Sequence, residues 1–94
     1  VTEILATRSG TNDYVALDIR NYQEGNHTYL IQNTGNVVNL TKSSAYCISN
    51  FNYALAYEGS IVVTGHTAST ISGTFDFRNE YFMHVSGTFT APHP

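Results

Sequence analysis

The sequence predicts an all-β, antiparallel protein: a meander of seven to eight short strands curled into a β-sandwich or a partly open barrel. Three observations carry this reading. Twenty Ser and Thr, nine Asn, seven Tyr and five Phe stand where a helical protein would have Leu, Lys, Glu and Ala. Thr, Tyr, Phe, Val and Ile suit a pleated, half-buried surface. Apolar residues alternate with polar ones in several short runs, and clusters of Gly, Asn, Asp and Ser separate those runs. Connections that short favour antiparallel neighbours.

Val1 to Arg8 is rich in Thr, Ile, Leu and Ala and reads as a first strand, ended by the turn cluster Ser9 to Asp13. Tyr14 to Arg20 alternates, with Val15, Leu17 and Ile19 on one face. His27 to Gln32 is a third strand with Tyr29 and Ile31 on one side, followed by a turn at Asn33 to Asn36. Val37 to Leu40 and Ala45 to Ser49 are short strand candidates. Tyr53, Leu55 and Tyr57 alternate with Ala54 and Ala56. A helix over Ala45 to Tyr57 competes there, but Asn50 and Asn52 break it. Gly59 to Thr64 is a strand with Ile61 and Val63 on one face, and Gly65 to Ser69 turns the chain.

The chain closes on a repeat. Ser-Gly-Thr-Phe occurs at Ser72–Phe75 and again at Ser86–Phe89, each after a β-branched residue, Ile71 or Val85. The two copies read as a hairpin. Its apolar positions (Ile71, Phe75, Phe77; Met83, Val85, Phe89) are all odd, so facing positions must sum to an even number. The preferred register opposes Phe77 to Met83, Phe75 to Val85, Gly73 to Gly87 and Ile71 to Phe89. Asp76 then faces His84 on the outside. Two opposed glycines would leave a hole for a ring from the opposite layer, with Tyr29, Tyr53 and Tyr57 as candidates.

Ninety-four residues make a single domain, 1–94, which buries about 60–65% of its unfolded surface around one core. Four scattered basic residues against seven acidic ones give a net charge of −3. That provides no footprint for nucleic acid and no polybasic membrane patch. No apolar run approaches the roughly 18 residues of a transmembrane segment, and no signal peptide is present. The expectation is then that Val1 begins a processed or trimmed chain.

Cys47 is the single cysteine, so no internal disulfide forms. Its alternating context, without a basic neighbour, makes it a packed strand thiol. His27, His66, His84 and His93 lack the spacing of zinc sites, and Asn12-Asp13 is too short for a calcium loop. No Gly-rich phosphate loop occurs, so no cofactor or metal is expected. His84 near Asp76 could be a general base with its orienting carboxylate, but no Ser or Cys has an activating context; an exposed cross-strand pair is the simpler reading, and no catalytic residue is assigned. The sequons Asn26-His27-Thr28 and Asn39-Leu40-Thr41 are what such a composition produces by chance.

The tyrosines are the one feature that could support a binding surface. Tyr14, Tyr22, Tyr46 and Tyr81 fall in loops or outside the inferred inner positions. Exposed tyrosines stack on sugars or anchor a protein partner; equally, they cap the edge of a small sheet with ring in and hydroxyl out.

The pattern Gly59-Ser60-Ile61-Val62-Val63, then Ile71-Ser72-Gly73-Thr74-Phe75-Asp76-Phe77, then Val85-Ser86-Gly87-Thr88-Phe89 resembles small β-rich secreted lipoproteins of Bacteroidetes, a family of unknown function. Val15 to Ile19 and the Gly25 to Ile31 piece resemble that family's middle strands. The resemblance implies export to the periplasm or cell surface and supplies no catalytic residues. The chain lacks the family's lipid-attachment cysteine and leader, so lipid anchoring stays open. The expectation is a non-enzymatic exported binding or accessory module taking a glycan or protein ligand. The alternative is a structural domain associating through an edge strand. A small hydrolase is the least favoured, and the oligomeric state is left open.

Overall fold

The computed structural model describes residues 2–7, 13–34, 37–38, 42–49 and 52–94, with the side chains of 33, 34, 37 and 38 excepted. The expected turns at 9–13 and 33–36 lie largely outside these residues, as do 39–41 and 50–51. Among the described residues there are eight strands and no α-helix. They are β1 (Thr2–Thr7), β2 (Tyr14–Ile19), β3 (His27–Thr34), β4 (Val37–Val38), β5 (Ser44–Ser49), β6 (Asn52–His66), β7 (Thr70–Asn79) and β8 (His84–Pro92). Every ladder is antiparallel.

One layer runs β1-β2-β5-β6, the other β3-β6-β7-β8, and β6 belongs to both. Its first residues, Asn52 to Leu55, pair with β5. From Glu58 to Val63 it pairs with β3, while β7 follows it from Ala56 to His66. The β6–β7 register shifts between Ala56 and Glu58, a bulge at Tyr57 that bends the strand from one layer into the other. β1 runs beside β8, so the two layers nearly close into a barrel. The Cα extents are 36 × 34 × 18 Å.

The sequence splits β6 into two pieces at Glu58-Gly59; the structure joins them into one strand of 15 residues. Gly59 makes this possible. Its φ is 152°, and a β-carbon there would strike the Asp76 carbonyl oxygen and come within 2.6 Å of the Phe77 β-carbon. Only glycine lets β6 and β7 pass so closely. Ser43 holds the seam between the layers: its N–H donates to the Leu30 carbonyl at 3.0 Å, and its hydroxyl accepts from the Arg20 N–H at 3.0 Å.

The core follows the period-two pattern. Ile4, Leu17, Ile19, Ala45 and Cys47 face inward from the first layer; Tyr29, Ile31, Ile61, Val63 and Ile71 do so from the second. Burying each large aliphatic or aromatic side chain is worth roughly 1.5–3 kcal/mol. One expectation is overturned here. Tyr53 and Tyr57 do not point inward; they are 53% and 40% exposed, and Ala54 and Ala56 take the core positions. The Cys47–Ala54 pairing puts small residues inside where β6 crosses between layers.

The closing hairpin keeps the expected parity but is slipped by two. Phe77 pairs with Val85, Phe75 with Gly87, Gly73 with Phe89 and Ile71 with Ala91. The glycines are therefore not opposed: each faces a phenylalanine of the neighbouring strand. A β-carbon at Gly87 would lie 2.8 Å from the Phe75 ring, and one at Gly73 would lie 3.0 Å from the Phe89 ring and strike the Val62 carbonyl. The rings that cover the glycines come from the same sheet, not from Tyr29, Tyr53 or Tyr57. Met83 is 63% exposed in the loop rather than inside. Asn79 sets this register: its side-chain oxygen accepts from the N–H groups of Tyr81 (2.9 Å) and Met83 (3.1 Å), and its own N–H donates to the Met83 carbonyl.

Candidate functional site

Because β2 pairs with β5 and β5 with β6, three tyrosines distant in sequence share the outer face of the first layer. Tyr14 lies opposite Ile48, and Ile48 opposite Tyr53. Tyr46 occupies the next row, between Ala16 and Leu55. The Tyr14 and Tyr46 ring centroids are 6.2 Å apart, edge to face, and those of Tyr46 and Tyr53 are 5.2 Å apart at 33°. Farther along β6, Tyr57 lies 6.3 Å from Phe82 of the β7–β8 loop. The aromatic platform is continued by Leu5, 57% exposed, beside Ala16.

A polar row borders the platform. Glu3 faces Asp18 across β1 and β2, and Asp18 faces Ser44, whose hydroxyl approaches the Asp18 carboxylate at 3.5 Å. Hydrogen bonding to Asp18, and then repulsion from its charge, raises the Glu3 carboxyl above its ordinary 4.5. Burial raises the Tyr46 hydroxyl above 10.0, with the Tyr14 hydroxyl adding to the shift. Burial, then the Glu80 charge, does the same for Tyr53. These hydroxyls stay protonated at neutral pH and can both donate and accept. None of the residues in these rows is basic.

The four tyrosines singled out in the sequence thus separate. Tyr14 and Tyr46 come together. Tyr22 stacks on Tyr29 at 6.4 Å and meets the His93 ring at 5.9 Å, away from the platform. Tyr81 is 64% exposed on the β7–β8 loop. Tyr53 and Tyr57 were missed as surface residues because hydrophobic alternation assigns the larger side chains to the core.

His84 Nε2 lies 2.7 Å from Asp76 Oδ1, and both side chains are about two-thirds exposed. The contact is diagonal, since His84 pairs with Arg78 and Asp76 with Ser86. Burial raises the Cys47 thiol above 9.0, partly opposed by a hydrogen bond from Asn79, so the sulfur is a poor nucleophile. Among the described residues no cluster of three or more His, Cys, Asp or Glu could hold a metal ion. No described helix is long and apolar enough to cross a membrane. Comparison with protein-family models, curated proteins and solved structures returns no match.

Proposed function

We propose that this protein is a non-enzymatic binding module of the bacterial cell envelope whose outer tyrosine platform takes a neutral glycan. The contiguous Tyr14, Tyr46 and Tyr53 rings on one sheet face carry the reading. Aromatic faces stack on the apolar faces of sugar rings. The Glu3, Asp18 and Ser44 row supports the same reading, because carboxylates and hydroxyls accept hydrogen bonds from sugar hydroxyls. Among the described residues none in these rows is basic, which favours a neutral chain over a sulfated or uronic one. Export and residence in the periplasm or at the cell surface rest on the resemblance of the closing strands to the Bacteroidetes lipoproteins.

A glycan array probed with the wild-type chain and with Tyr53→Ala tests this. Binding to neutral glycans that Tyr53→Ala loses while staying folded supports the platform. Binding to a protein ligand alone would move the partner class from glycan to protein. Association through an edge strand is the second reading: β1 and β8 lie beside each other without a ladder between them, and β4 pairs with β3 only at Asn33 and Thr34.

A further inference from the structure

The inner faces of the two layers are unequally filled. Toward one end the facing residues are large and fully buried: Leu17, Ile19, Ile61, Val63 and Ile71. Toward the other, the first layer presents Ala6, Val15, Cys47 and Ala54, and the second presents Gly87 and Val85. Ala6, Val15 and Val85 pack against the core yet remain only half-buried. These small side chains leave a cleft of about 760 Å³ between the layers, open between the start of β2 and the β7–β8 loop. Phe75 forms part of its wall, with its ring laid over Gly87. That volume falls in the range of roughly 300–1,000 Å³ typical of small-molecule sites, which combine an apolar wall with a few polar groups.

Polar groups come from Ser49 and Asn52 on one side and Ser86 on the other, while the buried Asn79 also reaches the lining with its side-chain oxygen already engaged. The ionisable residues along the described lining are Asp13, Tyr14, Cys47, Tyr53, Tyr81 and His84, and none is a permanent cation. His84 is already engaged by Asp76. Among the described lining residues a carboxylate head would meet no fixed counter-charge, whereas an uncharged hydroxyl would find both donors and acceptors.

We propose that this inter-layer cleft binds a small neutral amphiphile, with its apolar body between Val15 and Val85 and its uncharged polar end at the mouth. The site adjoins the outer platform: Ala6, Val15, Cys47, Ala54 and Val85 line its interior, Tyr14 and Tyr53 stand on its rim, and Tyr46 belongs to the platform alone.

The test uses the neutral fluorophore N-phenyl-1-naphthylamine with the wild-type chain, Ala6→Phe, which fills the cleft, and Tyr46→Ala, which alters the platform without touching the cleft lining. The expected result is saturable fluorescence enhancement in wild type and Tyr46→Ala, weakened by about tenfold or more in Ala6→Phe. Decanol should displace the fluorophore more effectively than decanoate. Decanol should also shift the methyl NMR resonances of Val15 and Val85 in the unaltered chain, a readout that stands even if Ala6→Phe fails to fold. Absence of saturable enhancement, equal enhancement in folded Ala6→Phe, or Val15 and Val85 methyls unmoved by decanol would overturn the site. Displacement by decanoate as strong as by decanol would overturn the neutral head.

Discussion

Tyr46 and Tyr53, from adjacent strands, hold their rings 5.2 Å apart on the outer face of the first layer. Tyr53 is more than half exposed, so its ring contributes little to folding. Tyr53→Ala should change stability by no more than about 0.5–1 kcal/mol. Glycan affinity should fall by about tenfold or more, equivalent to about 1.4 kcal/mol. Thermal unfolding and calorimetric titration of the same preparation separate the two effects.

Gly73 and Gly87 should differ in their tolerance of a methyl group. At Gly73 the added β-carbon strikes the Val62 carbonyl, which the β6–β7 ladder holds in place. Gly73→Ala should cost about 1–3 kcal/mol in urea unfolding. At Gly87 the neighbour is the Phe75 ring, which can tilt into the cleft, so Gly87→Ala should cost less.

The side-chain oxygen of Asn79 satisfies two loop N–H groups while the residue itself is buried. Asn79→Ala should cost about 1–3 kcal/mol, because those donors lose their acceptor. Hydrogen exchange should show the loss of protection at Tyr81 and Met83 specifically.

The extent to which the sequence foretold these contacts follows from what period-two alternation can and cannot encode. It places Val15, Leu17 and Ile19 together, and likewise Ile71, Phe75 and Phe77, because a one-residue slip would turn every side chain to the wrong face. A two-residue slip preserves every face. Parity therefore could not separate Phe77–Met83 from Phe77–Val85; the buried Asn79 decides between them, and nothing in its sequence context marks it as buried. The platform was half visible. Tyr14 and Tyr46 stand out as surface tyrosines, but their meeting depends on β2 pairing with β5 past β3 and β4, a long-range pairing that local pattern does not specify. Tyr53 was obscured because Ala54 and Ala56, the smaller residues, occupy the core at the crossing of the layers.

His93 Nε2 lies 2.6 Å from Glu24 Oε1 and fastens the end of the chain beside Tyr22. The hydrogen bond to Glu24, followed by one to the Pro94 carbonyl, raises the His93 imidazole above its ordinary 6.5. The folded state therefore holds this proton more tightly than the unfolded chain. The pair's contribution to stability is fully present below pH 6.5 and disappears as pH rises through the raised folded value. An NMR titration of the His93 ring should give a pKa above 6.5 in the wild-type chain, falling back toward 6.5 in Glu24→Gln.

Tyrosine ring resonances followed by NMR during titration with a neutral oligosaccharide drawn from the glycan array test the central claim most directly. The platform predicts saturable shifts at Tyr14, Tyr46 and Tyr53, with Tyr22 unmoved and the response abolished in Tyr53→Ala. Shifts confined to Tyr22, or full affinity retained by folded Tyr53→Ala, would contradict it.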